Sequence, residues 1–339
     1  MTDPQRSTHH AIEHDQKAES DMARVDVLIV ARDRADTIER AVLSALAQDE
    51  VRAAIVVDDG STDDTAALAR RCDSEGKRLI VERLPSSVGP SAARNIAIEI
   101  STAPWLAILD ADDFFLPGRI AALLSQSHDC DFLADHLTCV SEDRVGSEPQ
   151  TPVRMATAIK PAHLNFEQFV LGNVTRRGSH RKELGYLKPL IRRAFLDLHG
   201  LRYDDALRFG EDYALYARAL AVGARFLLIP IIGYVAVERA DSLSARHSRR
   251  DLEVLRNSDR DLMAMNLTPS EREAVVKHYV DVDRRAQWLV LVEALQSHSY
   301  PRLLSTFFGS PALTLYLTGR LIAEVPLQIR KRLRRLRGR

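Results

Sequence analysis

Strand-length apolar runs alternate with helix-spaced segments through the first third of this chain. Val25–Val30 (VDVLIV) is an apolar run of strand length interrupted only by Asp26, and residues 35–48 (ADTIERAVLSALAQ) then place apolar side chains at helical spacing. AAIVVDD (53–59) predicts a second buried strand. STDDTAALARRC (61–72) predicts a helix with Thr62 as N-cap and acidic residues in its first turn. KRLIVERL, GPSAARNIAIEIS and WLAIL continue the series as strand, helix, strand up to Leu109, and a further helix is predicted from near Leu116. Such alternation predicts an α/β fold, a mainly parallel sheet with helices on both faces. Ligands of these sheets bind beyond the carboxyl ends of the strands. Asp58 and Asp59 stand at one such end, and Asp110, Asp112 and Asp113 at another.

The pattern then changes. Residues 141–160 lack periodicity and predict a loop or linker, residues 161–245 mix short helices and strands, and the chain from 246 onward predicts helix. Leu303–Ile329 is apolar but interrupted by Gly309, Pro311 and Arg320, which makes a poor spanning helix. Together with the basic end RKRLRRLRGR it suits an interfacial helix lying on an anionic membrane, with a packed helix and a solvated tail as the simpler alternative. Residues 1–22 are polar without an apolar signal core and predict a mobile tail, in which His9, His10 and His14 are read as solvated.

Composition narrows the function classes. The 339 residues are 45% hydrophobic and 28% charged, which suits a globular chain with a full core. Lys and Arg balance Asp and Glu at 47 each, so no overall basic surface argues for nucleic acid. Cys72, Cys130 and Cys139 fit neither a zinc ribbon nor a disulfide framework and read as free thiols in a reducing compartment.

Three carboxylates at the end of one buried strand repel each other unless something cationic sits there. A hard divalent ion, Mg²⁺ or Mn²⁺, suits such oxygens because it takes few protein carboxylates and completes its shell with water and phosphate. A calcium loop is excluded by Phe115 at the glycine position and Ala121 at the bidentate glutamate position. A set of acids capping the next helix would account for the cluster, but not for VVDDGSTDDT. The first strand is followed by ARDRAD rather than a glycine fingerprint, and no phosphate-loop motif is present, which disfavours dinucleotide enzymes and P-loop NTPases.

VDVLIVARDRADTIERAVLSALAQ, VVDDGSTDDT, GPSAARNIAI, LAILDADDFFLPGRI and FGEDYALYARAL, in this order, resemble the family 2 glycosyltransferases with the GT-A fold. The resemblance spans about residues 24–245. It implies that Asp59 binds the base of a uridine nucleotide, and that Asp110-Ala111-Asp112 binds the ion and the sugar-nucleotide diphosphate. Asp112 would be the metal ligand, Asp110 a donor contact and Asp113 a supporting acid. Arg94 would lie beside the donor, with a helix-surface charge as its alternative. Asp212, after Glu211, would be the catalytic base of an inverting transfer.

The chain departs from the family in two places. Val30-Ala31-Arg32-Asp33 replaces the usual P-x-Y-N, so Asp33 stands in for the asparagine and Arg32 alters the base pocket. The basic group expected downstream for the diphosphate has Arg239 and His247 as candidates. A glycoside hydrolase would also use two carboxylates, and a non-catalytic sugar-binding module would not need Asp212. The segment from Ala93 to Arg119 is most similar to bacterial enzymes that add glucose during succinoglycan-type exopolysaccharide assembly. That similarity implies UDP-glucose as donor, a polyprenyl-diphosphate-linked oligosaccharide as acceptor, and a cytoplasmic, peripheral place on the inner membrane face. The implied organisation is a nucleotide-sugar half (23–140), an acceptor half (141–245) and a helical C-terminal region (246–339).

Overall fold

Val25, Val27, Ile29 and Ala31 join one core and Leu28 joins the other, on the opposite side of the first strand. A strand buried on both faces reads as a continuous apolar run because neither face meets water. The computed structural model describes residues 25–73, 76–145, 153–155, 160–175, 184–238 and 247–323. The N-terminal segment with His9, His10 and His14, the candidate Arg239 and the basic end lie outside the described residues.

Strands β1 (Val25–Ala31), β2 (Val51–Asp58), β3 (Leu79–Arg83) and β4 (Trp105–Asp110) run parallel, with β1 between β2 and β4. Helices α1 (Ile38–Leu46), α2 (Thr65–Arg71) and α3 (Pro90–Ile100) connect them. Ile38, Ala41, Val42 and Ala45 form the buried stripe of α1 on one face of the sheet. Ala93, Ala97 and Ile98 of α3 pack on the other.

The chain continues with β5 (Phe114–Phe115), α4 (Arg119–Leu124), β6 (Phe132–Ser141), β7 (Arg154–Met155), β8 (Ala162–Leu164) and α5 (Phe166–Gly172). Next come β9 (Leu190–Arg192), α6 (Arg193–Leu198), α7 (Glu211–Ala221) and β10 (Phe226–Glu238). The ten strands make one sheet in the order β3-β2-β1-β4-β9-β6-β10-β5, with β7 and β8 also paired to β10. β6 and β10 are parallel, while β9 runs antiparallel between β4 and β6. This reversal brings the start of β9 to the carboxyl end of β4, where the acidic cluster stands.

Two predicted boundaries move. Thr62 is not the N-cap of α2, whose N-cap is Asp64. Thr62 instead donates its backbone N–H and its hydroxyl to Asp33 Oδ1, at 2.8 and 3.1 Å. The helix expected from Leu116 begins at Arg119, because Gly118 takes a left-handed conformation that ends the preceding turn.

The C-terminal region is helical as expected, with α8 (Arg249–Ala264), α9 (Pro269–Gln296) and α10 (Tyr300–Phe307). Capping boxes at Ser248/Asp251 and Thr268/Glu271 start the first two. A continuous helix through Leu303–Ile329 does not form. α10 stops at Phe307 and a second helix occupies 311–323. Ser310 caps it, accepting the Leu313 N–H at 3.2 Å, and Pro311 occupies the first helical turn, where no N–H is needed. Among the described residues no helix is long and apolar enough to cross a membrane.

Candidate active site

The carboxyl ends of β1, β2 and β4 lie side by side, since Ala31 pairs with Asp58 and Val30 with Asp110. Beyond β2 the chain turns at Gly60, which has φ +70°. An added Cβ there would lie 2.7 Å from the Ser86 carbonyl carbon and the Ser87 nitrogen, so backbone proximity as well as the turn requires glycine. The loop held so closely is the one that meets Asp59. Asp59 accepts the Val88 N–H at 2.6 Å, the Ser87 hydroxyl at 2.7 Å and the Gly89 N–H at 3.1 Å. The residue expected to face a nucleotide base is therefore buried and bonded to the 87–89 loop. Asp33 is exposed beside it with φ +51°, and Arg32 reaches the same loop through the Ser87 hydroxyl at 3.0 Å.

The acidic cluster of β4 divides into three environments. Asp110 accepts from Arg94 Nη2 at 3.0 Å and lies 2.8 Å from Lys188 Nζ. Burial pushes its carboxyl up, but the charges of Lys188 and Arg94 outweigh this and hold it at about 2. Asp112 has its carboxylate 3.6 Å from Arg34 Nε, and its backbone carbonyl accepts from Arg40 at 2.5 Å. Asp113 turns toward β10 and accepts from the Tyr234 hydroxyl at 2.7 Å and the Val237 N–H at 2.8 Å. Burial, together with the charges of Asp110 and Asp112, raises its carboxyl to about 7. Its carboxylate is thus bonded to the sheet rather than open to an ion or a sugar.

The second acidic pair opens helix α7, whose N-cap is Gly210 in the left-handed region. Glu211 Oε1 accepts from Arg94 Nη1 at 2.6 Å. Asp212 Oδ2 accepts from Lys188 Nζ at 2.8 Å, and its Oδ1 accepts from the Tyr203 hydroxyl at 3.1 Å. Arg94 and Lys188 therefore each link the β4 cluster to the start of α7. Arg94 is not a helix-surface charge: it is buried, its guanidinium lies 5.5 Å from the Tyr203 ring centroid, and surrounding acids overcome the cost of burial to keep it charged. Lys188 is buried and likewise held protonated by Asp110 and Asp212 against the opposing effect of burial. Tyr203 is fixed by Asn95, which accepts its N–H and donates to its carbonyl, both at 2.9 Å.

Sequence reasoning singled out neither Lys188 nor Tyr203. Both lie in the stretch YLKPLIRRAFLDLHGLRYDDALRFGED, which carries no motif at either position. His247 stacks on Phe209 with centroids 4.5 Å apart, and Arg285 lies 3.3 Å from its Nε2, so it packs against the loop that leads into Glu211.

A divalent ion can be tested against these surroundings. Among the described residues no three His, Cys, Asp or Glu side chains converge as a cage. Mg²⁺ and Mn²⁺ do not require one when a diphosphate and water complete the shell. Both oxygens of Asp110 are engaged by buried cations, at 3.0 Å from Arg94 and 2.8 Å from Lys188, whereas the Asp112 carboxylate lies 3.6 Å from the half-buried Arg34. Of the two, Asp112 would be the carboxylate to hold such an ion.

The profile of glycosyl transferase family 2 matches residues 26–192. The chain is 44% identical to the succinoglycan biosynthesis protein ExoU of Rhizobium meliloti, over 88% of its own length and 87% of that protein. It is 33% identical to ExoO of the same organism, over 93% and 87%. Among solved structures, residues 1–349 of Staphylococcus aureus TarS bound to UDP-GlcNAc share the fold, with a TM-score of 0.59 at 16% identity, covering 84% of this chain and 90% of that one.

Proposed function

Because this chain belongs to glycosyl transferase family 2, we propose that it is an inverting hexosyltransferase that moves glucose from UDP-glucose to a hydroxyl of a lipid-linked oligosaccharide in exopolysaccharide assembly. The observation that carries this reading is the convergence of the Asp110–Asp112 and Glu211–Asp212 motifs through Arg94 and Lys188. The relatives named for succinoglycan biosynthesis and the uridine nucleotide in the TarS structure support the choice of pathway and donor.

In this mechanism the acceptor hydroxyl attacks the anomeric carbon as the bond to the diphosphate breaks. Asp212 takes the hydroxyl proton. Asp33 and Asp59 border the nucleotide subsite, Asp59 by ordering the 87–89 loop. Asp110 and Arg94 face the donor. A divalent ion held by Asp112 would supply Lewis-acid stabilisation of the diphosphate charge. Residues 23–140 form the donor half and 141–245 the acceptor half of the enzyme. Purified protein with Mn²⁺ and a panel of UDP- and GDP-sugars is expected to turn over UDP-glucose, and to lose that activity in EDTA. Turnover of a GDP-sugar with none of UDP-glucose overturns the donor assignment.

The acceptor's lipid calls for a membrane surface. Tyr300, Leu304, Leu315 and Ile322 on the two short helices after α9, and Phe308 between those helices, are exposed. Aromatic and leucine side chains at such positions partition into the headgroup boundary, and the basic end adds attraction to anionic lipid. Truncation after Tyr300 is expected to release the protein from the membrane fraction. Unchanged sedimentation with membranes contradicts this role.

A further inference from the structure

Lys188 reaches the site by a route set in the sheet. Leu190 of β9 pairs with Ala107 of the antiparallel β4, so the chain just before β9 runs beside the end of β4. Pro189 restricts the backbone at that point. The Lys188 carbonyl accepts from Arg119 Nη2 at 2.6 Å, and Arg119 is itself fully buried on Asp135. The backbone of Lys188 is thus anchored from below, and its side chain can only reach forward.

The ammonium lies 2.8 Å from Asp110 Oδ2 and 2.8 Å from Asp212 Oδ2. An isolated charge at this depth is strongly disfavoured, so the lysine depends on both acids as much as they depend on it. The two carboxylates belong to elements about a hundred residues apart in sequence, β4 and α7, and serve different partners in the proposed reaction. Asp110 faces the donor and Asp212 receives the acceptor's proton. Arg94 makes a parallel link, but to Glu211 rather than to the base.

Resting on the reading of Asp212 as base, we propose that Lys188 is a positioning residue for transfer, fixing the Asp212 carboxylate at a set distance from the donor-side Asp110. Removing it leaves the buried Asp212 and the part-buried Asp110 facing each other without their shared cation, and they separate. A displacement on the order of 1 Å at a reacting group costs about 100-fold in rate.

The test is a double-mutant cycle with Asp212→Asn. Lys188→Met alone is expected to lower kcat about 100-fold, with the donor KM changed by less than about threefold. In the Asp212→Asn background the same change is expected to cost less than about threefold, because the group it positions no longer accepts a proton. Lys188→Arg keeps the charge and is expected to recover about tenfold relative to Lys188→Met. If the methionine variant does not fold, as judged by thermal unfolding, the arginine variant is read in the same cycle. A full loss in both backgrounds overturns the proposal, as does an unaffected kcat in Lys188→Met. Normal transfer by Asp212→Asn alone refutes the base assignment instead, so the two failures are distinguishable.

Discussion

Asp212→Asn is expected to lower kcat by about 10²–10⁴-fold, the range by which a positioned general base accelerates a reaction. Asparagine preserves the shape of the side chain and can keep one oxygen for Lys188 or Tyr203, which now bond the two carboxylate oxygens. What it cannot do is accept the proton of an attacking hydroxyl. Donor binding should persist, since Asp110, Asp112 and Arg94, the groups proposed to face the donor, are unchanged. Calorimetric titration with UDP-glucose alongside steady-state transfer separates the two effects. Transfer at the normal rate rules out the base role. Loss of donor affinity in proportion to rate would make Asp212 a donor ligand instead.

The second large effect concerns stability. Arg119 and Asp135 form a buried pair in which Arg119 Nε lies 3.1 Å from both carboxylate oxygens and Nη2 lies 2.7 Å from Oδ1. The guanidinium also stacks near Phe115 and Tyr234, at 4.5 and 5.2 Å from their ring centroids. Asp135→Asn keeps an oxygen for the Gly233 N–H, which Asp135 Oδ2 now accepts at 2.9 Å, but removes the charge and sets an amide NH2 donor against the Arg119 Nη2 that Oδ1 now accepts. An arginine with no exposed surface is then left without its counterion. Breaking such a pair by removing one partner costs about 3–5 kcal/mol. Urea unfolding should show a lowered midpoint with an unchanged slope. A loss below about 1 kcal/mol would mean that the aromatic rings and the Lys188 carbonyl suffice to hold the cation.

The parallel half of the fold was legible because each buried strand is a short apolar run and each helix repeats at 3.6 residues. Nothing in 105–110 needed tertiary context. Local chemistry misled where two interpretations compete for one side chain. Thr62 has the character of an N-cap, yet its hydroxyl serves Asp33 across the β1–β2 ends, and Asp64 takes the cap position. The apolar stretch after Leu303 looks continuous until Ser310 and Pro311 are seen to begin a new helix.

The acidic motifs were visible as clusters, but their counter-charges were not. Arg94 reads equally as a surface residue or a site residue until α3 is packed on the sheet. Lys188 has no motif around it, and its place depends on the register of a three-residue strand that pairs with residues more than 80 positions earlier. Burial of Arg119 is illegible for the same reason, because its partner Asp135 is on strand β6.

The placement of β9 also constrains how the chain is made. β4 is complete at Asp110, whereas its neighbour on the open side begins at Leu190. At a synthesis rate of about 5–20 residues per second, the ribosome needs roughly 4–16 s to supply the missing strand. Throughout that interval the nascent β4 presents an unpaired, apolar edge of the kind that recruits other strands. The segment that supplies the late partner strand also delivers Lys188 to the site.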